Sequence, residues 1–298
     1  MRLRNEARDL LELVLVPGLA ALLPWPVCFR LFRWGCRFDV LYRKECRDAL
    51  AHAHARDCVP GDVARWLQTC RLITLIDNAD FYLSRTRSDR WMARHLEVAG
   101  EWPAPGQASL LCTFHWGAGL WALRHIGSQG LTAHAIVAQH VRANFIGRTV
   151  RYLYYGARNR ENERALGTPG IEVSASPRPV MQALRAHQQV IAAVDVPADQ
   201  VAASEPVSIL GHDARVPRGL FRIAAGSQVP MFVFLTGIRM SDGKRTLQIH
   251  CLTASGDMRH LLREAFALLE AAITANPAAW HFWKIAPRFF HDAGVPPA

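Results

Sequence analysis

The groups in this chain best suited to chemistry are one imidazole, one carboxylate and a set of arginines. His115 closes the apolar run Ala108–Phe114, and two glycines follow it before Leu120-Trp-Ala-Leu-Arg-His125 takes up a helical pattern. A strand that ends in a histidine and a glycine-rich turn sets the imidazole at the carboxyl tip of a parallel strand, where open α/β sheets carry their sites. The plain alternative is a histidine that merely ends a strand. A neutral imidazole there suits general-base work on a hydroxyl near neutral pH. Asp195 repeats the pattern: it follows Val190-Ile-Ala-Ala-Val194 and precedes Val196-Pro197, so it too belongs at a strand tip, capping a turn or sharing a cleft with His115. Arg158 and Arg160 are expected in a polar loop or helix end, and Arg215 and Arg218 bracket a helix start where free N–H groups also favour an anion. Each arginine cluster taken alone is a solvated face; together they fit an acidic substrate.

The elements that must position these groups alternate between the two periods. Strands are expected at 109–114, 133–138, 170–173, 190–194, 229–236 and 246–253. Helices are expected at 61–84, 119–125, 142–155, 178–187, 217–225 and 258–274. This is the order of an α/β fold with a mostly parallel central sheet flanked by helices. No solenoid repeat, low-complexity tract or internal linker interrupts it.

Half of the 298 residues are hydrophobic and the formal charge is +10, which calls for an anionic partner. Arginine supplies nearly all of the positive charge, with Lys44, Lys244 and Lys284 the only lysines. That suits phosphate or carboxylate recognition, although a GC-rich genome gives the same bias. Seven cysteines form no Cys-x-x-Cys pair and read as reduced, buried thiols, so neither a zinc site nor a disulfide framework is expected. His52-Ala-His54 reads as surface, no metal or cofactor is called for, and no nucleic-acid motif is present.

The N-terminus reads as a separate segment, residues 1–40, ahead of an α/β domain of residues 41–298. An uncharged run from Leu13 to Phe29 is framed by Arg2, Arg4 and Arg8 on one side and Arg30, Arg33 and Arg37 on the other. It is short for a span and contains Pro17, Pro24 and Pro26. Acidic residues at its head argue against a signal peptide. An interfacial anchor with Trp25 and Trp34 at the headgroup boundary fits better than a buried core helix.

Read in order, these blocks resemble the lipid A biosynthesis (lauroyl/myristoyl) acyltransferases of the lysophospholipid acyltransferase superfamily. The similarity runs through the arginine-flanked N-terminus, the strand ending in His115-Trp-Gly-Ala-Gly119, and Arg158-Asn-Arg160. It continues through Met181 to Asp195, Ile209 to Pro230, and Asn276-Pro-Ala-Ala-Trp-His-Phe-Trp283. The resemblance implies a membrane-associated transferase at the cytoplasmic face of a bacterial inner membrane. An acyl carrier protein or coenzyme A thioester would be the donor, a lipid or glycolipid hydroxyl the acceptor, and His115 the general base at the mouth of a hydrophobic groove. It departs from the family at one point. The family's motif carries a carboxylate five positions after the histidine; here that residue is Leu120, and no Asp or Glu occurs between Trp102 and Arg160. Asp195 is then the carboxylate expected to serve His115, and the alternative is a catalytically silent protein that binds an acyl carrier or lipid for a partner enzyme.

Overall fold

The computed structural model describes residues 2–59, 61–172 and 176–290. Six helices come first: α1 (Arg2–Asp9), α2 (Val16–Leu22), α3 (Trp25–Gly35), α4 (Arg43–His54), α5 (Val63–Thr86) and α6 (Asp89–Arg94). A π-helical turn, Leu10–Leu15, joins α1 to α2. The α/β body follows: β1 (Leu96–Ala99), β2 (Ser109–Thr113), α7 (Leu120–Ser128), β3 (Ala133–Val137), α8 (Thr149–Leu166), β4 (Ile171–Glu172), α9 (Arg178–Arg185) and β5 (Gln189–Ala193). Then come β6 (Ser204–Ile209), β7 (His212–Pro217), α10 (Gly219–Ser227), β8 (Met231–Ile238), β9 (Arg245–Cys251) and α11 (Met258–Ala275), with 3-10 turns at Pro277–Ala279 and His281–Arg288.

Seven strands form one sheet in the order β1-β9-β8-β2-β5-β3-β4, and every pairing is parallel except β8 with β9. The central strands are apolar on both faces because helices cover both. Along β2, Leu110 and Cys112 enter one core cluster and Leu111 the other; along β5, Val190 and Ile191 divide in the same way. Each such leucine or isoleucine stabilises the fold by roughly 1.5–3 kcal/mol. All six expected strands form, within two residues at most ends; Val173, at the end of the fourth, lies outside the described residues.

Several elements differ from the sequence reading. The expected helix 142–155 is a short 3-10 turn, Arg142–Phe145, and then α8; Gly147, at φ +71°, breaks the chain between them. Glu6 then caps α8, accepting from the Thr149 and Val150 amides at 2.6 and 2.9 Å, and these bonds hold its carboxyl below the usual range. Arg158 and Arg160 therefore lie within a helix and not in a loop. The antiparallel hairpin β6–β7 was also not expected.

The N-terminal segment shares the core of the body: Trp25, Phe29 and Phe32 belong to the same buried cluster as Leu110 and Val233. Its carboxylates point inward. Asp9 is fully buried and takes Arg148 at 2.5 Å and Arg151 at 3.1 Å, while buried Glu12 accepts from the Tyr42 amide at 2.6 Å. Five of its leucines, Leu3, Leu10, Leu11, Leu15 and Leu22, are exposed, while Leu13 is buried. In a regular α-helix, Leu15 and Leu22 would drift away from Leu3 and Leu10. The wider π turn corrects the drift and gathers them into one stripe opposite Asp9 and Pro17. No helix among the described residues is long and apolar enough to cross a membrane.

One charged group lies at the centre of the helical side. Arg245, fully buried, pairs with buried Asp80 and is held between the Trp25 and Trp121 rings, 4.2 and 4.4 Å from their centroids. Four elements, α3, α5, α7 and β9, meet on this guanidinium.

Candidate active site

Strand register brings His115 and Asp195 together. β2 and β5 pair in parallel with Thr113 opposite Ala193, so the residues two beyond each leave the sheet side by side. The Asp195 carboxylate then accepts from the His115 backbone amide at 2.9 and 3.0 Å and meets the ring Nδ1 at 2.9 Å. Its other oxygen accepts from Trp280 Nε1 at 2.9 Å. Asp195 is 1% exposed, whereas the His115 side chain is 38% exposed. A carboxylate surrounded by donors fixes Nδ1 as the protonated nitrogen. Nε2 has no partner among the described residues and faces outward as a lone-pair acceptor. Such a pair can take a proton from a hydroxyl, and its carboxylate comes from the tip of β5, not from position 120. Leu120 packs in an apolar cluster with Leu13, Phe81 and Tyr154.

A tight turn and a strap keep the imidazole in place. Gly117 has φ +63°, and any side chain there would run into the Thr236 carbonyl oxygen. The strap is the segment after α11. Trp280 bridges antiparallel to Trp116, Ala279 O accepts from the Gly117 amide at 3.1 Å, and the His281 amide donates to His115 O at 2.9 Å. His281 Nε2 lies 2.7 Å from Gly117 O, and Phe282 stacks on the His115 ring at 3.8 Å and 17°.

Sequence reading missed Asp77, on α5 beside these histidines. It holds Arg158 through two bonds, 2.7 and 2.8 Å. Burial alone would raise the Asp77 carboxyl, but Arg158, then His281, and more weakly His115, outweigh it and hold it below the usual range. Burial lowers the His281 imidazole, with Asp77 and the Gly117 carbonyl opposing and Lys284 and His115 adding to the lowering. Asp77 sits in the apolar run Leu72–Ala79, where a lone carboxylate on a core helix was the available signal.

The arginines divide. Arg158 is already matched by Asp77, and Arg218 pairs with Glu205 at 3.6 Å with no bond to His115 or Asp195. Arg160 is exposed and forms no ion pair among the described residues. His115 was expected at the mouth of a hydrophobic groove, yet it lines neither of two recesses. One, of about 410 Å³, lies at the carboxyl end of β3 between His140, Phe145 and Tyr155; the other, of about 340 Å³, lies between β6 and α11. Among the described residues no cluster of His, Cys, Asp or Glu could hold a metal ion. Comparison of the chain with protein-family models and with curated proteins finds no match.

Proposed function

We propose that this protein is a membrane-associated acyltransferase, moving an acyl chain from an acyl carrier protein or coenzyme A thioester to a hydroxyl of a lipid or glycolipid. The observation that carries the reading is the Asp195–His115 pair, which leaves His115 Nε2 bare and outward. In the step proposed, Nε2 takes the acceptor hydroxyl proton as the oxygen bonds to the thioester carbonyl carbon. The tetrahedral intermediate then expels the thiolate, which recovers that proton from His115, so no covalent enzyme intermediate forms. Asp195 stabilises the transient imidazolium. Arg160 is the arginine open to an anionic group of either substrate; Arg158 and Arg218 would have to leave their carboxylates to do the same.

The outward leucine stripe supports a lipid surface as the working place. A helical run with its carboxylates inside and five of its leucines outside, continued by exposed Leu31, Trp34 and Phe38 among arginines, is arranged for the headgroup boundary. By resemblance, that surface is the cytoplasmic face of a bacterial inner membrane. The catalytically silent reading draws on the apolar setting of Leu120. Mass spectrometry of lipids from cells with the protein, without it, and with His115→Ala separates the two. An acylated lipid lost in both deficient strains supports the enzyme; its full return with His115→Ala overturns it.

A further inference from the structure

We propose that His281 is the positioning residue of the site: it locks the turn that carries His115 and so replaces, on the backbone side, the local support that Leu120 cannot give. This rests on the general-base reading of His115. Two carbonyls of that turn, those of His115 and Gly117, are both engaged by His281. Its amide reaches the first at 2.9 Å and its ring Nε2 the second at 2.7 Å. A carbonyl can only accept, so Nε2 carries a proton in both the neutral and the charged ring, and the clamp survives a change in charge state. The neighbours on the strap complete the hold: Trp280 fixes Asp195, and Phe282 covers the face of the His115 ring. Without the ring bond the Gly117 carbonyl loses its side-chain donor, and the path of the turn rests on its backbone bonds to the strap, the Thr236–Trp116 bond and the His115 amide on Asp195. The imidazole then samples positions that break its in-line approach to a hydroxyl, and misplacement by about 1 Å can cost roughly a hundredfold.

The charged and titratable groups that face His281 are Asp77 from α5, His115 from the turn and Lys284 on its own segment. None of the three donates to or accepts from the His281 ring, which leaves the carbonyl clamp as its defined contact. A side chain that presents an N–H at a similar reach should therefore restore it. Glutamine does so through Nε2; leucine and the shorter asparagine do not.

The test uses the full chain in detergent micelles with palmitoyl-coenzyme A as donor and a lysophospholipid hydroxyl as acceptor, following thiol release together with acylated lipid, for the wild type, H281L, H281N, H281Q, H115A and H281L/H115A. The expected result is a kcat about tenfold to a hundredfold lower for H281L and H281N, KM within about twofold, and H281Q within about threefold of the wild type. In the H115A background, H281L should add no further loss, because a positioning residue has nothing left to position. Wild-type kcat in H281L, equal losses in H281Q and H281L, or a further loss in the double variant overturns the proposal. Wild-type turnover in H115A overturns instead the general-base reading on which it rests.

Discussion

Asp195→Asn separates activity from stability at this site. The substitution keeps the side-chain shape but turns one acceptor oxygen into a donor. In one orientation the amide oxygen still accepts from His115 Nδ1, and the NH2 then opposes the Trp280 Nε1 donor now 2.9 Å from the carboxylate. A buried donor left unsatisfied there costs about 1–3 kcal/mol. The rotated orientation avoids this cost: the oxygen serves Trp280 and the His115 amide, and the NH2 meets a ring that has moved its proton to Nε2. The rotated state therefore wins by the same roughly 1–3 kcal/mol, about a 5- to 150-fold bias against a usable base. Loss of the negative charge beside the imidazolium lowers turnover further, towards the roughly 10⁴-fold effect of a tautomer-reversing substitution in a His–Asp pair. Because the rotated asparagine is satisfied, unfolding in urea should shift by less than about 1 kcal/mol. The expected outcome is thus thioester turnover down about 10³- to 10⁴-fold in a protein of nearly unchanged stability. A variant that keeps more than a tenth of wild-type turnover would refute the reasoning, and additive losses in a cycle with His115→Ala would place Asp195 outside the proton path.

Other outcomes follow from the same geometry. Replacing Leu15 and Leu22 together by Asp should release the protein from vesicles of mixed zwitterionic and anionic lipid in a flotation assay, with little change in its unfolding curve; retained flotation would move the lipid-facing surface elsewhere. Truncation of residues 1–37 is the wrong probe, since it strips Trp25, Phe29 and Phe32 from the core and should leave an insoluble chain. Asp80→Asn should cost about 3–5 kcal/mol in chemical denaturation, because it leaves the Arg245 charge buried without its partner. Arg158→Ala should act through Asp77, whose depressed carboxyl contributes stability above its unfolded value that is lost as pH falls through the folded one. The variant's stability should accordingly be lower at neutral pH and flatter towards acid than the wild type's, as read from thermal unfolding between pH 3 and 7. Arg160→Ala should raise KM for an acyl-carrier or coenzyme A donor and leave kcat unchanged.

The sheet was legible because its central strands are nearly unbroken apolar runs, and so were the two groups at their tips. Strand ends followed by Gly or Pro leave few other places for His115 and Asp195, and the in-register pairing of β2 with β5 does the rest. The missed elements are those whose residues contradict their structure locally. β6 and β7 carry Pro206, Pro217, Glu205 and Asp213, and their turn is Leu210-Gly211, both at positive φ, instead of the Asn-Gly that announces such a hairpin. β1, Leu-Glu-Val-Ala, is a short, largely exposed edge strand with no run to detect. Asp77 and His281 escaped for another reason. Each acquires its meaning from a partner in a remote part of the chain, Arg158 for one and the His115–Gly117 turn for the other, and no spacing within a helix or a turn encodes that meeting.

The Arg245 sandwich bears on the order of events at the ribosome. Trp25 is made well before its guanidinium partner, which belongs to β9. Until then α3 has no completed socket, and its aromatic face and the leucine stripe before it are uncovered together. A nascent chain in that condition exposes apolar surface until β9 is made, and such surface is prone to aggregate. The segment proposed to face a membrane is thus joined to a helix that cannot complete its packing until β9 has been made.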